Sequence, residues 1–583
     1  MMTAKKNLPE KFFEQAALKQ EATAFFYCRP QDDRWVTMSW NRYRDEVATL
    51  ASWLLSQGVG RGAKVALMSS NRPEWIISDL AILSIGAITV PVYTSASAHE
   101  INYILNHSEC EWIIVDTIDR VSPLDRKGLR GLVSFNKFAE STAQELGIPA
   151  YAYAATVHDT VTPIKAPVQM NQDEIATLVY TSGTTGLPKG VIHTHGTIAE
   201  AIYSSQQLIE SPEGTIDRFF SFLPLCHVAE RCLVETGSIG MGAEVAFARN
   251  IDTIAQDLPI CQPTMLLCVP RLWEKMQEGI LAKLHSASPV KQIVFRIASF
   301  MGGSRVQGNH IDASANGGIF PALSDVLVGK KLREALGLNR VRMFITGSAP
   351  TRPEVQKFFI SFGMPIREVY ALTENFACGV VSLEDDILTN SCGKPFPGAE
   401  VKIAEDGEIL FRAPWNFKGY YKNEQATAEV LSSDNWFATG DLGSLDAAGR
   451  LFIVGRKKEL LKTSNGKYVA PVPIEDSIKA NPLVKEVMMV GDSRKYCVAL
   501  IALENPVVDD KARESLVAWF DKVNKPLASY EAVKRVGILK EGFTIENGSL
   551  TPTMKVKRNA VVKAKEHFID EVYASKDFVV VER

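Results

Sequence analysis

Residues 180–190 read YTSGTTGLPKG, a run of hydroxyl side chains and glycines that directly follows the apolar stretch 175–180. Glycine permits a positive φ and a close backbone approach, and hydroxyl and free N–H groups can donate to phosphate oxygens. Lys189 adds a point charge. The stretch therefore predicts an anion-binding loop at the end of a buried strand, with an exposed Ser/Thr/Gly linker as the plainer alternative.

The common phosphate loop G-x-x-x-x-G-K-[ST] does not fit these residues. Lys189 is preceded by Pro188 and followed by Gly190, so the glycine before the lysine and the hydroxyl after it are both missing. A mechanical NTPase of that class is therefore rejected.

Length and charge limit the function further. The 583 residues are too many for one hydrophobic core, so we expect at least two domains. The net charge of −3 argues against a general nucleic-acid binder. Residues 456–583 carry 23 Lys and Arg against 18 Asp and Glu. This basic segment suits an anionic ligand, although a solvated surface of mixed charge explains it equally well.

The cysteines and the apolar segments indicate the compartment. The nine cysteines are odd in number and contain no CxxC pair, which predicts a reducing compartment and no structural zinc. The N-terminal segment lacks the apolar core of a signal peptide. The most apolar window, 75–92, is interrupted by Asp79, Gly86 and Pro91. We expect a cytoplasmic protein, with any membrane contact peripheral and on the inner face.

Short apolar runs alternate with amphipathic stretches from residue 65 onward. Strands separated by helices imply an α/β fold with parallel sheets covered on both faces. The polar, glycine-rich stretch 302–318 predicts a surface loop or a mobile insertion. The predicted strands are 65–68, 88–92, 112–115, 132–135, 218–223, 265–269 and 342–345, with helices at 74–85 and 98–106.

The pattern changes near the C-terminus. Residues 407–412 and 451–454 read as short strands beside turn signals. A unit of about 125 residues then follows Arg456, the size of a small domain. We predict a large domain over 1–455, built of parallel or mixed sheets covered by helices. A small mobile α+β domain is predicted over 456–583, with a hinge near 456–458.

Seven further motifs follow the loop in a fixed order. They are FLPLCHVAER at 222–231, TGSAP at 346–350, VYALTE at 369–374, WFATGDL at 436–442, GRKKE at 455–459, SNGKYVAP at 464–471 and TPTMKVKR at 551–558. Together with 181–190 they resemble, in order and spacing and over nearly the whole chain, the adenylate-forming superfamily. That superfamily contains acyl-CoA synthetases, luciferases and adenylation domains of peptide synthetases. The chain length, PRLWE at 270–274 with the insertion after it, and NGKYV at 465–469 look most like long-chain fatty acyl-CoA synthetases.

The resemblance implies a two-step ligase that uses ATP, Mg²⁺ and coenzyme A. A fatty acid carboxylate attacks the α-phosphorus of ATP and expels pyrophosphate, and the thiol of CoA then attacks the acyl-adenylate and expels AMP. The small domain would rotate between the two steps, and the protein would act as a monomer or homodimer. Transfer to a carrier protein and closure to a β-lactone remain alternatives. A non-catalytic nucleotide-binding scaffold is a third alternative, opposed by the presence of Glu374, Asp441, Arg456 and Lys555.

The resemblance also assigns roles to particular residues around the nucleotide. Tyr370 would stack on adenine, and Asp441 would hold the ribose hydroxyls. Glu374 and Thr184 would bind Mg²⁺. Adenine would also be lined by Gly347, Ser348 and Ala349, and the phosphates would be held by Thr181, Ser182, Gly183, Thr184, Thr185, Gly186, Lys189 and Thr373.

Four more residues belong to catalysis and domain motion in this resemblance. Arg456 would reach the ribose or phosphate, and Lys458 would be the pivot. Lys555 is the lysine expected to contact the carboxylate and α-phosphate, although Thr553 and Met554 replace the usual Ser-Gly before it and Lys557 lies two residues on. A solvated basic strand is the alternative for this segment. His227, in the acyl-site segment, is expected to gate or position the substrate, whereas a lone histidine is more often structural.

Overall fold

Two β-sheets organise the chain up to residue 456 in the computed structural model, which describes residues 5–159, 161–181, 187–209, 211–313, 318–383, 385–505, 509–544, 547–550 and 556–582. The first sheet has seven strands. Six are parallel, and the seventh pairs antiparallel with the sixth as a hairpin. In spatial order they are Ala150–Ala152, Gly131–Ser134, Trp112–Val115, Lys64–Met68, Ile88–Pro91, Ile175–Thr181 and Lys189–Thr194.

The second sheet has thirteen strands and changes direction partway across. It is parallel from Thr23–Arg29 to Ile366–Tyr370 and antiparallel beyond that point. The prediction of parallel or mixed sheets is therefore confirmed. In spatial order the strands are Arg34–Ser39, Thr23–Arg29, Glu244–Phe247, Arg218–Ser221, Met265–Cys268, Met343–Thr346, Ile366–Tyr370, Val380–Val381, Ser391–Pro395, Leu451–Arg456, Phe437–Leu445, Glu408–Arg412 and Glu400–Ile403.

Helices cover both sheets, and several begin with proline in their first turn, where its missing N–H costs no hydrogen bond. Pro73–Ser84 is buried on almost every side, as its apolar composition predicts. Among the described residues, none of the helices combines the length and apolar character needed to cross a bilayer. The helices before residue 456 are Leu8–Lys19, Trp40–Ser56, Pro73–Ser84, Ala98–Ser108, Glu140–Leu146, Tyr153–Thr156, His195–Leu208, Val228–Glu230, Gly237–Met241, Ile254–Cys261, Pro270–His285, Pro289–Gly302, Ile319–Ser324, Lys330–Leu336, Pro353–Ile360 and Glu424–Ala428.

Tighter or wider helical turns complete these segments. Arg231–Thr236 and Asp325–Gly329 are π-helical turns that continue neighbouring helices. The 3₁₀ turns are Ile118–Arg120, Ile251–Thr253, Gly303–Arg305, Thr373–Asn375 and Lys457–Glu459.

A separate four-stranded sheet follows residue 456. Its strands, in order, are Val484–Val490, Cys497–Leu503, Val533–Ile538 and Val579–Val581. Pro471–Lys479 and Asp510–Asn524 bury apolar side chains on one face, and Arg558–Ala564 and Glu566–Ala574 do so on the other. A short hairpin of Leu461–Lys462 and Tyr468–Val469 precedes them. This region therefore has its own sheet and its own two apolar layers.

The stretch 302–318, predicted as a surface loop, lies mostly at the surface in its described residues, but it begins in a helix and contains two short strands. Gly302 ends the Pro289–Gly302 helix, and a β-carbon there would lie 1.8 Å from the carbonyl oxygen of Ser361. His310–Asp312 then pairs with Val306–Gln307 and with Asp386–Leu388. Glycine at 302 thus serves close packing rather than flexibility. Residues 314–317 lie outside the described residues.

A buried ion cluster connects the Pro73–Ser84 helix, the Arg231–Thr236 turn and the Ile175–Thr181 strand. Arg231 lies 2.5 Å from Asp79 and 3.2 Å from Glu235, and its guanidinium donates to Thr177 Oγ1 at 2.7 Å. All three charged side chains are almost completely buried. Burial, with Asp79 adding to it, raises the pKa of Glu235 well above its usual value. The arginine therefore compensates two neighbouring acids that have no access to water.

Removing that arginine should destabilise the protein strongly. We expect Arg231→Met to cost about 3–5 kcal/mol of unfolding free energy, because it leaves buried acids without a counter-ion. The thermal unfolding midpoint should fall by several degrees, measured by calorimetry. As a control, Arg44→Met breaks an exposed pair with Asp45 and should change the midpoint little. Equal effects of the two substitutions would contradict this account of the cluster.

Candidate active site

A cavity of about 1830 Å³ lies where the large sheet meets the C-terminal region, and both contribute to its walls. Every described residue of the predicted site lines it. Ser182, Gly183, Thr184, Thr185, Gly186 and Lys555 lie outside the described residues. The residues that the structure brings together are Thr181, Lys189, His227, Gly347, Ser348, Ala349, Tyr370, Thr373, Glu374, Asp441, Arg456 and Lys458.

The two ends of the predicted phosphate loop are clamped by a hairpin. Thr181 pairs with Lys189, and Tyr180 pairs with Gly190, in the antiparallel ladder of Ile175–Thr181 and Lys189–Thr194. The Tyr180 hydroxyl is 2.8 Å from Nδ1 of His107. A buried strand on one side and a paired strand on the other thus fix where the loop leaves and re-enters the sheet.

Tyr420 contacts both Lys189, at the end of this loop, and Glu374. The Lys189 ammonium lies 4.6 Å from the centre of the Tyr420 ring, within the range of a cation–π contact. The Tyr420 hydroxyl donates to Glu374 Oε1 at 2.8 Å. One aromatic side chain therefore positions both a positive and a negative group on the cavity wall.

Glu374 lies in the Thr373–Asn375 turn, which backbone contacts hold in place. The Phe417 N–H donates to the Glu374 carbonyl at 2.7 Å. His193 Nε2 donates to the Thr373 carbonyl at 2.7 Å, and burial lowers the pKa of His193 to about 4, so its ring stays neutral. Burial raises the pKa of Glu374, and the hydrogen bond from Tyr420 lowers it. The Glu374 carboxylate is thus fixed in position, and the hydrogen bond from Tyr420 affects its pKa.

The donors around Glu374 fit one kind of metal site. Among the described residues no three His, Cys, Asp or Glu side chains cluster as a metal cage. Mg²⁺ is commonly bound through one or two carboxylates together with water and substrate phosphates. A single carboxylate beside Lys189, at the end of the predicted phosphate loop, matches that mode and does not match a closed protein cage.

Asp441 receives two donors. The Tyr370 hydroxyl donates to Asp441 Oδ2 at 2.7 Å, and Arg456 Nε lies 3.2 Å from Oδ1. Asp441 and Arg456 face each other across the ladder of Phe437–Leu445 and Leu451–Arg456. The strand register therefore brings the predicted ribose ligand directly against the first residue of the predicted hinge. Lys457–Glu459 forms a single 3₁₀ turn after it.

Gly347, Ser348 and Ala349 follow the Met343–Thr346 strand and form the next part of the wall. A β-carbon on Gly347 would lie 2.6 Å from Cγ1 of Val369, so a larger residue would push the two strands apart. Ser348 has φ 72°, a left-handed conformation. Close packing and this turn together expose the backbone of the segment to the cavity.

One part of the cavity wall, called the apolar arm below, is lined largely by apolar side chains. His227 caps the Val228–Glu230 turn, and its Nδ1 accepts from the Ala229 N–H at 3.1 Å. The sulfurs of Cys232 and Cys378 are 3.4 Å apart on the same wall. Apolar side chains of this arm include Ile202, Ile209, Phe219, Leu233, Met241, Leu267 and Met343.

Sequence reasoning missed Tyr420, the apolar arm and the part of the wall contributed by the C-terminal region. Tyr420 contacts a residue 46 positions away, and its aromatic pair with Tyr421 gives no local cue that separates core from site. The apolar wall comes from many separate segments. In the C-terminal region the missed lining residues include Asp476, Trp519, Lys522 and Arg558.

Comparisons with known proteins identify the family of the chain. A family model described as AMP-binding enzyme matches residues 12–421, and one described as AMP-binding enzyme C-terminal domain matches 458–577. Long-chain-fatty-acid–CoA ligase FadD15 of Mycobacterium tuberculosis is 32% identical over 575 residues, covering 94% of each chain. The peroxisomal long chain acyl-CoA synthetase 7 of Arabidopsis thaliana is 31% identical, covering 92% of this chain and 81% of its own.

Solved structures at about 20% identity share the fold. The adenylation domain of a carboxylic acid reductase from Segniliparus rugosus, in complex with AMP and a carboxylic acid, has a TM-score of 0.76 at 20% identity and covers 98% of this chain and 95% of that one. O-succinylbenzoate CoA synthetase from Bacillus subtilis, with ATP and magnesium, has a TM-score of 0.69 at 21% identity, covering 94% and 98%. The family models over most of its length, together with relatives above 30% identity, show that the chain belongs to the AMP-binding enzyme family.

Proposed function

We propose that this protein is an ATP- and Mg²⁺-dependent ligase that converts a long-chain fatty acid to its CoA thioester through an acyl-adenylate. One observation carries the proposal: Lys189, Glu374, Asp441 and His227 line a single cavity together with many apolar side chains. A nucleotide and an apolar acid would meet in that cavity. The relatives named as long-chain fatty acid–CoA ligases support the choice of acid and of thiol.

The first half-reaction brings a carboxylate to the α-phosphorus of ATP. Both reactants are anions, so positive charge and fixed donors supply much of the catalysis. Lys189 and Lys555 would supply charge, with Thr181, Ser182, Thr184, Thr185 and Thr373 as donors beside the backbone of Gly183 and Gly186. Glu374 and Thr184 would hold Mg²⁺, which when bound neutralises charge on the phosphates. The carboxylate forms a bond to phosphorus while pyrophosphate leaves.

The nucleoside would be held by groups that are already oriented. Tyr370 would stack on adenine against the backbone of Gly347, Ser348 and Ala349. Asp441 would accept from the ribose hydroxyls, and its present bonds to Tyr370 and Arg456 keep its carboxylate facing the cavity. His227 would position the acyl group at the mouth of the apolar arm.

The second half-reaction needs a different wall. We propose a large domain over 1–455 and a small domain over 456–583 that rotates about 456–458, with Lys458 as pivot, to exchange Lys555 for a face that receives CoA. The separate sheet and separate apolar layers after residue 456 support this division. The described cavity draws its walls from one chain, so a monomer and a homodimer would both be active. Contact with a membrane would be peripheral.

A panel of acids from acetate to oleate, with ATP and CoA, tests the proposed function. We expect AMP release to rise with the chain length of the acid, because each added methylene group would be buried against the apolar arm. Release should require CoA, and acyl-CoA should appear by mass spectrometry. Preference for short or aromatic acids would overturn the long-chain assignment. AMP release without CoA, with a lactone as product when a β-hydroxy acid is supplied or with acyl transfer to an added carrier protein, would overturn the thioester step.

Lys555→Ala should separate the two half-reactions. ATP–pyrophosphate exchange should fall by about 10²–10³, because a charge aimed at the transition state is lost. Thiolysis of supplied acyl-adenylate should be retained. Lys557→Ala is the matched control, since Lys557 precedes the Arg558–Ala564 helix and is not assigned a catalytic contact. Equal loss of both half-reactions in Lys555→Ala, or an equal loss of exchange in Lys557→Ala, would refute this assignment.

Two substitutions test Glu374 and its partner. Glu374→Gln should raise the Mg²⁺ concentration needed for ATP–pyrophosphate exchange at least about tenfold, since a neutral amide is a weaker ligand. Tyr420→Phe keeps the ring beside Lys189 but removes the donor that lowers the pKa of Glu374. That pKa should rise, so activity should be lost at a higher pH on the acidic side of the profile. An unshifted acidic limb in Tyr420→Phe would contradict the link.

A further inference from the structure

The Pro289–Gly302 helix carries an exposed apolar stripe. Val290, Ile293, Ile297 and Phe300 are spaced by three, four and three residues, which places them on one side of the helix. Phe300 is 85% exposed and Val290 is 70% exposed. The stripe is unusual because a surface helix normally turns such residues toward the core.

A second helical segment, 319–329, extends the same surface. It consists of Ile319–Ser324 and Asp325–Gly329, and it packs against Pro289–Gly302. Of the 22 large apolar side chains that are exposed in the described part of the chain, nine lie between residues 290 and 327. This concentration marks an interaction surface rather than scattered surface residues. The exposed members on 319–329 are Ile319, Phe320, Leu323, Val326 and Leu327.

The opposite side of this helix pair is firmly packed. The Phe295 ring lies 4.7 Å from that of Phe362, and Ala298 is completely buried. Ser324 Oγ donates to the Ser361 carbonyl at 2.9 Å, close to Gly302. Both sides of the pair are therefore apolar, one packed on the protein and one uncovered.

The charged residues in this part of the sequence are mainly positive. Residues 283–331 contain six Lys and Arg against two Asp, while the whole chain has a net charge of −3. One of those acids, Asp325, is paired with Arg333 at 2.5 Å. The cations are Lys283, Lys291, Arg296, Arg305, Lys330 and Lys331.

We propose that the apolar helix pair, Pro289–Gly302 with 319–329, docks this protein on an anionic lipid bilayer. Its apolar side chains enter the boundary between headgroups and acyl chains, and its cations contact the headgroups. A second copy of the chain is disfavoured as the occupant, because a two-fold contact would place the same cations against each other.

The inference rests on the proposed function in one respect: a long-chain acid partitions into bilayers, so docking brings the cavity to the substrate. The pair is packed on residues 358–362, and Pro353–Ile360 begins among the lining residues Arg352, Pro353 and Glu354. One rigid helix thus connects the docking surface to the active site.

Vesicle flotation without ATP, acid or CoA tests the docking alone. The protein should bind phosphatidylcholine vesicles containing about one third phosphatidylglycerol more tightly than pure phosphatidylcholine, and salt should weaken the difference. Phe300→Asp with Val326→Asp should lower the partition coefficient roughly a hundredfold, since each large apolar side chain contributes about tenfold. The matched control is Leu18→Asp with Ile251→Asp, two equally exposed apolar positions elsewhere, which should bind as the original protein does.

Oligomeric state and activity separate the remaining outcomes. Both double variants should keep their thermal midpoint and their activity on a dissolved medium-chain acid. Equal vesicle binding by the two double variants would overturn the proposal. The proposal would also be overturned if the protein did not bind vesicles but formed a dimer that Phe300→Asp dissociates. Loss of vesicle binding only in the helix-pair variant supports docking even if the acid panel were to overturn the long-chain assignment, so the two proposals fail independently.

Discussion

The arrangement of the cavity depends on the two contacts of the Asp441 carboxylate, with Tyr370 and with Arg456. The carboxylate accepts from Tyr370, which ends the last parallel strand of the large sheet, and it pairs with Arg456, where the chain leaves that sheet. A hydrogen bond to a charged group contributes about 1.5–3 kcal/mol. One buried acid therefore ties the parallel half, the antiparallel half and the start of the C-terminal region together. The proposed movement at 456–458 would therefore act directly on the carboxylate that we propose as the ribose ligand.

Tyr420 gives the phosphate side of the cavity a comparable order. Its ring contacts the Lys189 ammonium and its hydroxyl contacts Glu374, so the cation and the acid are each satisfied without forming an ion pair with each other. If Lys189 and Glu374 formed a direct ion pair, that pair would have to break before either side chain could bind a phosphate or a metal ion. An aromatic spacer keeps both charges available, and it places them at the fixed base of the loop hairpin.

The sequence predicts the fold well where a strand is buried on both faces. Trp112–Val115 has the predicted bounds, because a central parallel strand is a continuous apolar run with sharp ends. Gly302 shows the limit of such predictions. A glycine in a sequence is compatible with a flexible loop and with close packing, and only the Ser361 carbonyl beside it in the structure shows that close packing applies here. The site motifs were found because they are contiguous. Tyr420 and the apolar arm were not found from the sequence, because they meet other segments only after the chain has folded.

The apolar arm owes its shape to an interaction away from the chemistry. Its wall includes Leu233, in the π-helical turn Arg231–Thr236, and that turn is fixed to the Pro73–Ser84 helix by the buried contact of Arg231 with Asp79. Burying ionisable side chains gains little stability compared with apolar packing, so stability alone does not explain the cluster. It does fix one position for the turn, because any shift would leave a charge without its partner. The apolar wall beside Leu233, where we propose that the acyl chain binds, is therefore held in one position by a contact outside the cavity.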